Sequence, residues 1–291
     1  MKFKKYKPKK PPKMNYSFIS RGTSREELDL HNTVKLLLPG TSTFRGNRTI
    51  LHGREIDIWI PSWRIGIEYN GLWFHSASTK SREYHLWKTV EAERSGVRLI
   101  HIWSDLWETR RMQSVDYLSK IFRKFNLIKD DVYAEEISAE TGNTFLNKTH
   151  ILGPDFQANK FIGLYYKTSL VTVFSFKVEG SAWTLLRRGE LRTLRIENDI
   201  QKVLDFIYSK CGKDVRIKAE IDRSLFNGRD LIENGFAIIR CSGPQSVWTK
   251  DFKSRRLQES KTDEQWEELG YQRFYDCGKL YLELKKIKED L

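Results

Sequence analysis

Two short runs set the pattern of the first third of the chain. In Glu55–Pro61, Ile56, Ile58 and Ile60 fall on one face of an extended strand, and Glu55, Asp57 and Trp59 fall on the other. Pro61 to Arg64 carries turn chemistry. The alternation then resumes, with Ile65, Ile67 and Tyr69 on one face and Gly66, Glu68 and Asn70 on the opposite one. Paired strands of this kind bring Asp57 and Glu68 onto surfaces that can meet, with His75 just past the second strand.

Around this hairpin the periodicity predicts alternating helices and strands, hence an α/β layer. Thr23 and Ser24 with Glu26 and Glu27 read as a capped helix start, and Leu30, Val34, Leu37 and Leu38 supply its buried stripe before Pro39-Gly40 stops it. The next stretch, with Arg45, Arg48 and Arg54, reads as a basic loop that could face phosphate, with a merely solvated loop as the alternative. A helix is predicted over 79–95, with Tyr84, Trp87, Val90 and Ala92 inward and Lys80 and Lys88 on a solvated face. Gly96 ends it. Residues 97–103 form an apolar strand that ends at Asp105, and His101 within it reads as a core histidine. A further helix with Met112, Val115, Leu118, Ile121, Phe122 and Phe125 inward closes the unit.

Acid-rich residues 127–142 read as a linker. Beyond them strands are predicted at 161–166, 170–176, 183–187, 215–221 and 236–240, with helices at 198–210 and 228–234. From Val247 the chain is expected to be basic and helical, with a last strand inside 275–284. The expected division is a basic arm (1–19), a first domain (20–126), the linker (127–142) and a second domain (143–291).

Composition narrows the picture. The chain has 291 residues, 39% of them apolar and 13% aromatic, enough to build cores for about two domains. The formal net charge of +13 favours a polyanionic partner. The first 13 residues carry seven lysines and three prolines, which points to an extended arm whose Lys4, Lys5 and Lys7 could grip phosphate. No apolar run approaches a membrane span, and no apolar stretch follows the lysines as in a secretory signal. The three cysteines lie far apart, so neither a disulfide framework nor a cysteine zinc site is expected. A soluble, cytoplasmic protein is the expectation.

Glu55, Asp57, Glu68, His75 and Asp105 fall on polar faces or strand ends of one unit. Carboxylates so gathered suit Mg²⁺, which binds through a few hard oxygens, and a histidine beside them can move protons. Asp57, His75 within Gly71-Leu72-Trp73-Phe74-His75, and Asp105 closing Leu99-Ile100-His101-Ile102-Trp103-Ser104-Asp105 resemble the very-short-patch-repair endonuclease fold of the PD-(D/E)XK superfamily. Within it they resemble the EDxHD phage homing endonucleases. The resemblance implies Glu27 as the leading glutamate, with Glu26 an adjacent candidate. It further implies Asp57 as principal metal ligand, His75 as the proton-transfer residue and Asp105 as the final acid. Asn70 stands where the superfamily keeps a lysine, a role that His75 could supply in the histidine variant. Lys80 and Lys88 could compensate, though a solvated helix face is the favoured place for both.

Residues 145–280 resemble the C-terminal module of such enzymes, whose order of elements is similar to an N-acetyltransferase-like fold. Leu194–Ile200 has no glycine and two acids, so no acetyl-CoA is expected there. Arg187, Arg188, Arg192, Arg195, Arg223, Lys250, Lys253, Arg255 and Arg256 are then expected to touch phosphate. The sequence reading is therefore an α/β protein with a nuclease core and an α+β C-terminal module. It would be a Mg²⁺-dependent homing endonuclease acting on double-stranded DNA, with Asp57, Glu68 and Asp105 around the metal and no obligate protein partner. A mismatch-nicking repair enzyme, a DNA-binding protein with an inactive core and an acetyltransferase are the alternatives.

Overall fold

The computed structural model describes residues 24–73, 80–123, 127–252, 254, 256–257 and 261–285. The expected arm with Lys4, Lys5 and Lys7 lies outside the described residues, as do His75, Lys253 and Arg255. The fold is mixed α/β, built on two main sheets.

The first unit begins with α1 (Arg25–Leu37), whose N-cap Ser24 accepts a hydrogen bond from the Glu27 N–H at 3.0 Å. Four strands follow in the spatial order β1 (Phe44–Leu51), β2 (Arg54–Ile60), β3 (Ile65–Asn70) and β4 (Arg98–Trp103). The first three run antiparallel, and β4 lies parallel to β3 after the crossover helix α2 (Tyr84–Arg94). Ile56, Ile58 and Ile60 are fully buried, as their alternation requires. Gly66 lets the layers close: a Cβ there would stand 2.8 Å from Leu99 and 2.9 Å from Ile56. Helices α3 (Ser104–Thr109) and α4 (Arg111–Phe122) complete the unit.

The basic stretch read as a loop is the edge strand β1. It turns into β2 through His52, in the left-handed region at φ 51°, and Gly53 at φ 95°. Its polar sequence hides the strand because pairing to β2, rather than an apolar face, defines it.

The second unit carries a seven-stranded sheet. In chain order its elements are β5 (Leu127–Ile128), β6 (Val132–Ile137), α5 (Ala139–Thr149), β7 (Lys160–Tyr166), β8 (Ser169–Glu179), β9 (Ala182–Glu190) and β10 (Arg195–Ile196). There follow α6 (Asp199–Cys211), β11 (Arg216–Asp222), α7 (Arg229–Glu233), β12 (Phe236–Cys241), β13 (Ser246–Thr249), β14 (Arg256–Leu257), α8 (Asp263–Glu268), β15 (Gln272–Tyr275) and β16 (Lys279–Leu284). The sheet order is β12-β16-β11-β9-β8-β7-β6. All pairs are antiparallel except β9 with β11. The stretch read as a linker thus contains β6, an edge strand of this sheet. The segment after Val247, read as helical, forms the small sheet β14-β13-β15 with α8.

The two units share cores. Leu225 and Ile151 of the second unit pack with Leu30, Ile67, Ile100 and Leu118 of the first, and Val247 and Phe274 pack on Leu72 and Trp103. The loop after β11 also covers the open edge of β4, where the His101 N–H donates to the Ser224 carbonyl at 2.7 Å.

Candidate functional site

The polar faces of β2 and β3 carry the site. Pairing between these strands runs only from Ile58–Ile67 to Ile60–Ile65. Past that point the Tyr69 N–H turns to a side chain, donating to Oδ2 of Asp57 at 2.8 Å. Glu27, in the first turn of α1, lies in the same electrostatic neighbourhood. Burial first, and then the Asp57 carboxylate, raise its pKa to about 7, against the pull of Arg45, whose guanidinium stands 4.0 Å away. Glu68 is 2% exposed, and burial together with Asp57 pushes it up to about 8. Its partner is the buried ammonium of Lys88, reaching across from α2. Burial works against that charge, but Glu68, Tyr84 and Asp57 together hold the proton on Lys88 more firmly than on an ordinary lysine.

Behind this pair runs a neutral polar chain. His101 is fully buried, with Nδ1 3.0 Å from Asn70 Nδ2 and Nε2 2.9 Å from Thr89 Oγ1. Burial, helped by Lys88, drives its pKa down to about 3, so it stays uncharged. The reading of His101 as a core histidine agrees with this placement.

Of the expected site residues, Asp57 lies within electrostatic reach of both Glu27 and Glu68. Asp105 opens α3 and is buried at the Tyr69 side of the sheet end, where its charge helps raise the Tyr69 hydroxyl. Lys88 was missed. Its signal is the spacing: it lies four residues from both Tyr84 and Ala92, on the stripe already read as inward. A long side chain on that stripe must bury its charge or find a carboxylate, and it does both.

Among the described residues no group of three or more His, Cys, Asp or Glu side chains is arranged to hold a metal ion. The expectation of Mg²⁺ held by Asp57, Glu68 and Asp105 is corrected on that ground: an ammonium already occupies the Glu68 side, and the Tyr69 N–H takes Asp57.

The arginines expected to grip DNA are mostly engaged within the protein. Arg48 pairs with Glu55, Arg54 lies 4.9 Å over the Trp87 ring, and Arg187 donates to the carbonyls of Gly153 and Pro154. Arg192 meets Asp116 at 3.2 Å, and Arg223 meets Glu93 at 2.7 Å. Arg188 is the centre of a cluster, touching Glu190, Asp199 at 3.0 Å and Asp230 at 2.8 Å, with Arg195 3.9 Å from Glu190. Burial works against the charge of the partly covered Glu190, yet Arg188 holds its carboxyl below the ordinary range. Arg256 lies on β14.

A second concavity opens where the seven-stranded sheet changes direction. Strands β9 and β11 pair only from Ala182–Arg216 to Leu185–Ala219 and then part, although β9 continues to Glu190 and β11 to Asp222. A bulge at Leu186 against β8 turns β9 away. The parted strands border a cavity of about 930 Å³, also lined by Arg64, Arg98, Tyr117 and Leu225.

No family model and no curated protein matches the sequence. Among solved structures, the chain is similar to an acetyltransferase from Bacillus subtilis in complex with CoA (14% identity, TM-score 0.33, 54% of this chain and 99% of that one). It is also similar to a GNAT family acetyltransferase from Elizabethkingia anophelis with acetyl-CoA bound (11% identity, TM-score 0.34, 54% and 99%). A third is an IAA acetyltransferase from Bacillus cereus (11% identity, TM-score 0.32, 53% and 99%).

These structures are acetyltransferases, and with that finding the homing endonuclease, its PD-(D/E)XK core and both nucleic-acid alternatives are withdrawn. Double-stranded DNA is withdrawn as the partner, in keeping with arginines that pair with acids of the chain. The exclusion of acetyl-CoA is withdrawn as well: it rested on one glycine-free turn, and two of the resembled proteins carry CoA or acetyl-CoA. Among the described residues no helix is long and apolar enough to cross a membrane.

Proposed function

We propose that Glu27, Asp57 and Glu68 form a proton-transfer centre. The observation that carries this reading is the convergence of three carboxylates from α1, β2 and β3, one of which titrates near neutrality. Glu27 is assigned the proton that moves, because a group with a pKa of about 7 is a competent acid and a competent base at the same pH. Asp57, steadied by the Tyr69 N–H, is the neighbouring carboxylate that makes that proton costly to lose. Asp105 is assigned to the rim, on the Tyr69 side.

Carboxyl ¹³C NMR from pH 4 to 9 tests the assignment. A Glu27 midpoint near 7 supports it, and a midpoint near the ordinary glutamate value of about 4.3 removes it. Any activity found for the protein should follow that same ionisation and be lost in Glu27→Gln.

A second reading is favoured by the parting of β9 and β11, and it concerns a different ligand. An acyl thioester on a pantetheine arm is proposed for the cavity, since parted strand edges offer main-chain groups to pair with the arm's amides. Such a thioester would supply an activated acyl group. The cavity fits the arm better than the pyrophosphate of CoA, because the start of α6 is already closed by Asp199. Its Oδ1 accepts from the Ile200 N–H at 2.8 Å, with Glu190 nearby on Arg188. Calorimetric titration with acetyl-CoA and with S-acetyl-pantetheine decides: binding of either supports the reading, and binding of neither removes it.

A further inference from the structure

We propose that Lys88 is a positioning residue of the Glu27–Asp57–Glu68 centre, its ammonium clamping the Glu68 carboxyl beneath β3. This deepens the reading above and rests on it.

The geometry is that of a closed contact. The side chains of Lys88 and Glu68 are 3% and 2% exposed, so water can replace neither partner. One Glu68 oxygen takes the ammonium. The other, Oε1, is buried with no hydrogen-bond partner among the described residues. An oxygen so placed is costly in a purely structural ion pair and useful in a site that must still accept a proton or a donor. Lys88 is held in turn: its Nζ stands 5.6 Å from the Tyr84 ring, and one residue on, Thr89 ties α2 to His101.

The charged and titratable groups facing the pair come from every layer around it. Asp57 and Glu55 face it from β2 and Tyr84 from α2 itself, while His101 on β4 stands uncharged. Arg54 and Lys80 stack on Tyr84 from outside, 5.6 and 4.5 Å from its ring. Lys88 is the cation in direct contact with Glu68. Removing its charge leaves a buried carboxyl beside the acids Asp57 and Glu55, and that carboxyl must respond by binding its proton more tightly.

The experiment follows the Glu68 carboxyl by ¹³C NMR in the whole chain, with circular dichroism to confirm folding. In Lys88→Gln, which keeps a hydrogen-bond donor but no charge, the Glu68 midpoint should rise by about one unit or more. Lys88→Arg should return it close to wild type. A folded Lys88→Gln protein with an unmoved Glu68 midpoint overturns the role of Lys88.

Should Lys88→Gln fail to fold, the double variant Lys88→Met with Glu68→Gln, which removes both charges, takes its place. Its Glu27 titration should match that of Glu68→Gln alone if Lys88 acts only through Glu68, and a difference between them overturns the proposal. The wild-type Glu27 midpoint separately tests the centre: an ordinary value there would sink the centre, whatever Glu68 does.

Discussion

Each unit sets acids around a cation, and the outcomes differ: beside Arg188 burial raises Asp199 while Glu190 falls, and beside Lys88 it is the contacted Glu68 itself that rises. In the second unit Arg188 spreads its fork over Glu190, Asp199 and Asp230, and Glu190 is held below its ordinary range. In the first unit Lys88 offers a single point of contact and serves Glu68. Glu27 and Glu68 both rise beside Asp57. The difference lies in geometry as much as in charge. A planar guanidinium can satisfy several carboxylates at once, whereas an ammonium on a flexible stem satisfies the nearest one. A compensated cluster becomes a bolt in the fold; an under-compensated one keeps protons that can move.

The largest expected effect comes from breaking the compensated cluster. Arg188→Met should destabilise the protein by about 3 kcal/mol in denaturant unfolding, because the buried Asp199 and the largely buried Glu190 lose their shared partner while the exposed Asp230 adds little. Next, Asp57→Asn, which keeps an oxygen for the Tyr69 N–H but removes the charge, should lower the Glu27 midpoint by about one unit.

A smaller effect sharpens the contrast through pH. The folded pKa of Glu27, about 7, lies above its unfolded value, so the stability tied to its protonated form is present below about pH 4.5 and is lost as the pH rises through 7. Melting temperatures of wild type and Glu27→Gln should therefore draw apart between pH 5 and pH 8, with the wild type losing ground. Smallest of all, Arg229→Ala breaks an exposed pair with Glu233 at 2.7 Å and should change stability by no more than about 0.5 kcal/mol, although it lies next to the Arg188 cluster.

Much of the scaffold could be read from spacing. The alternation in β2 and β3, the Ser24 cap and the apolar β4 each announce themselves, as does the strand and helix order from β7 to β12, because local pattern and burial agree there. What escaped depends on distant partners. The polar strand β1 exists through its pairing with β2, and β6 through its pairing with β7. Lys88 was assigned to solvent because lysine usually is, although its place on the inward stripe argued otherwise. The convergence of Asp57 with Glu68 was legible from two alternating strands. The chemistry attached to them, a metal and a phosphodiester, came from a resemblance in residue order and was not carried by the geometry.

The loop that follows β11 has a practical consequence for anyone dividing the molecule. A fragment ending near residue 126 would lack Ile151 and Leu225, leaving a greasy socket lined by Leu30, Ile67 and Leu118 open to water. It would also lack Ser224, so the rim of β4 would be free to stick to other chains. Such a fragment should come out of cells as inclusion bodies, while the same stretch expressed alongside the remainder should stay in solution.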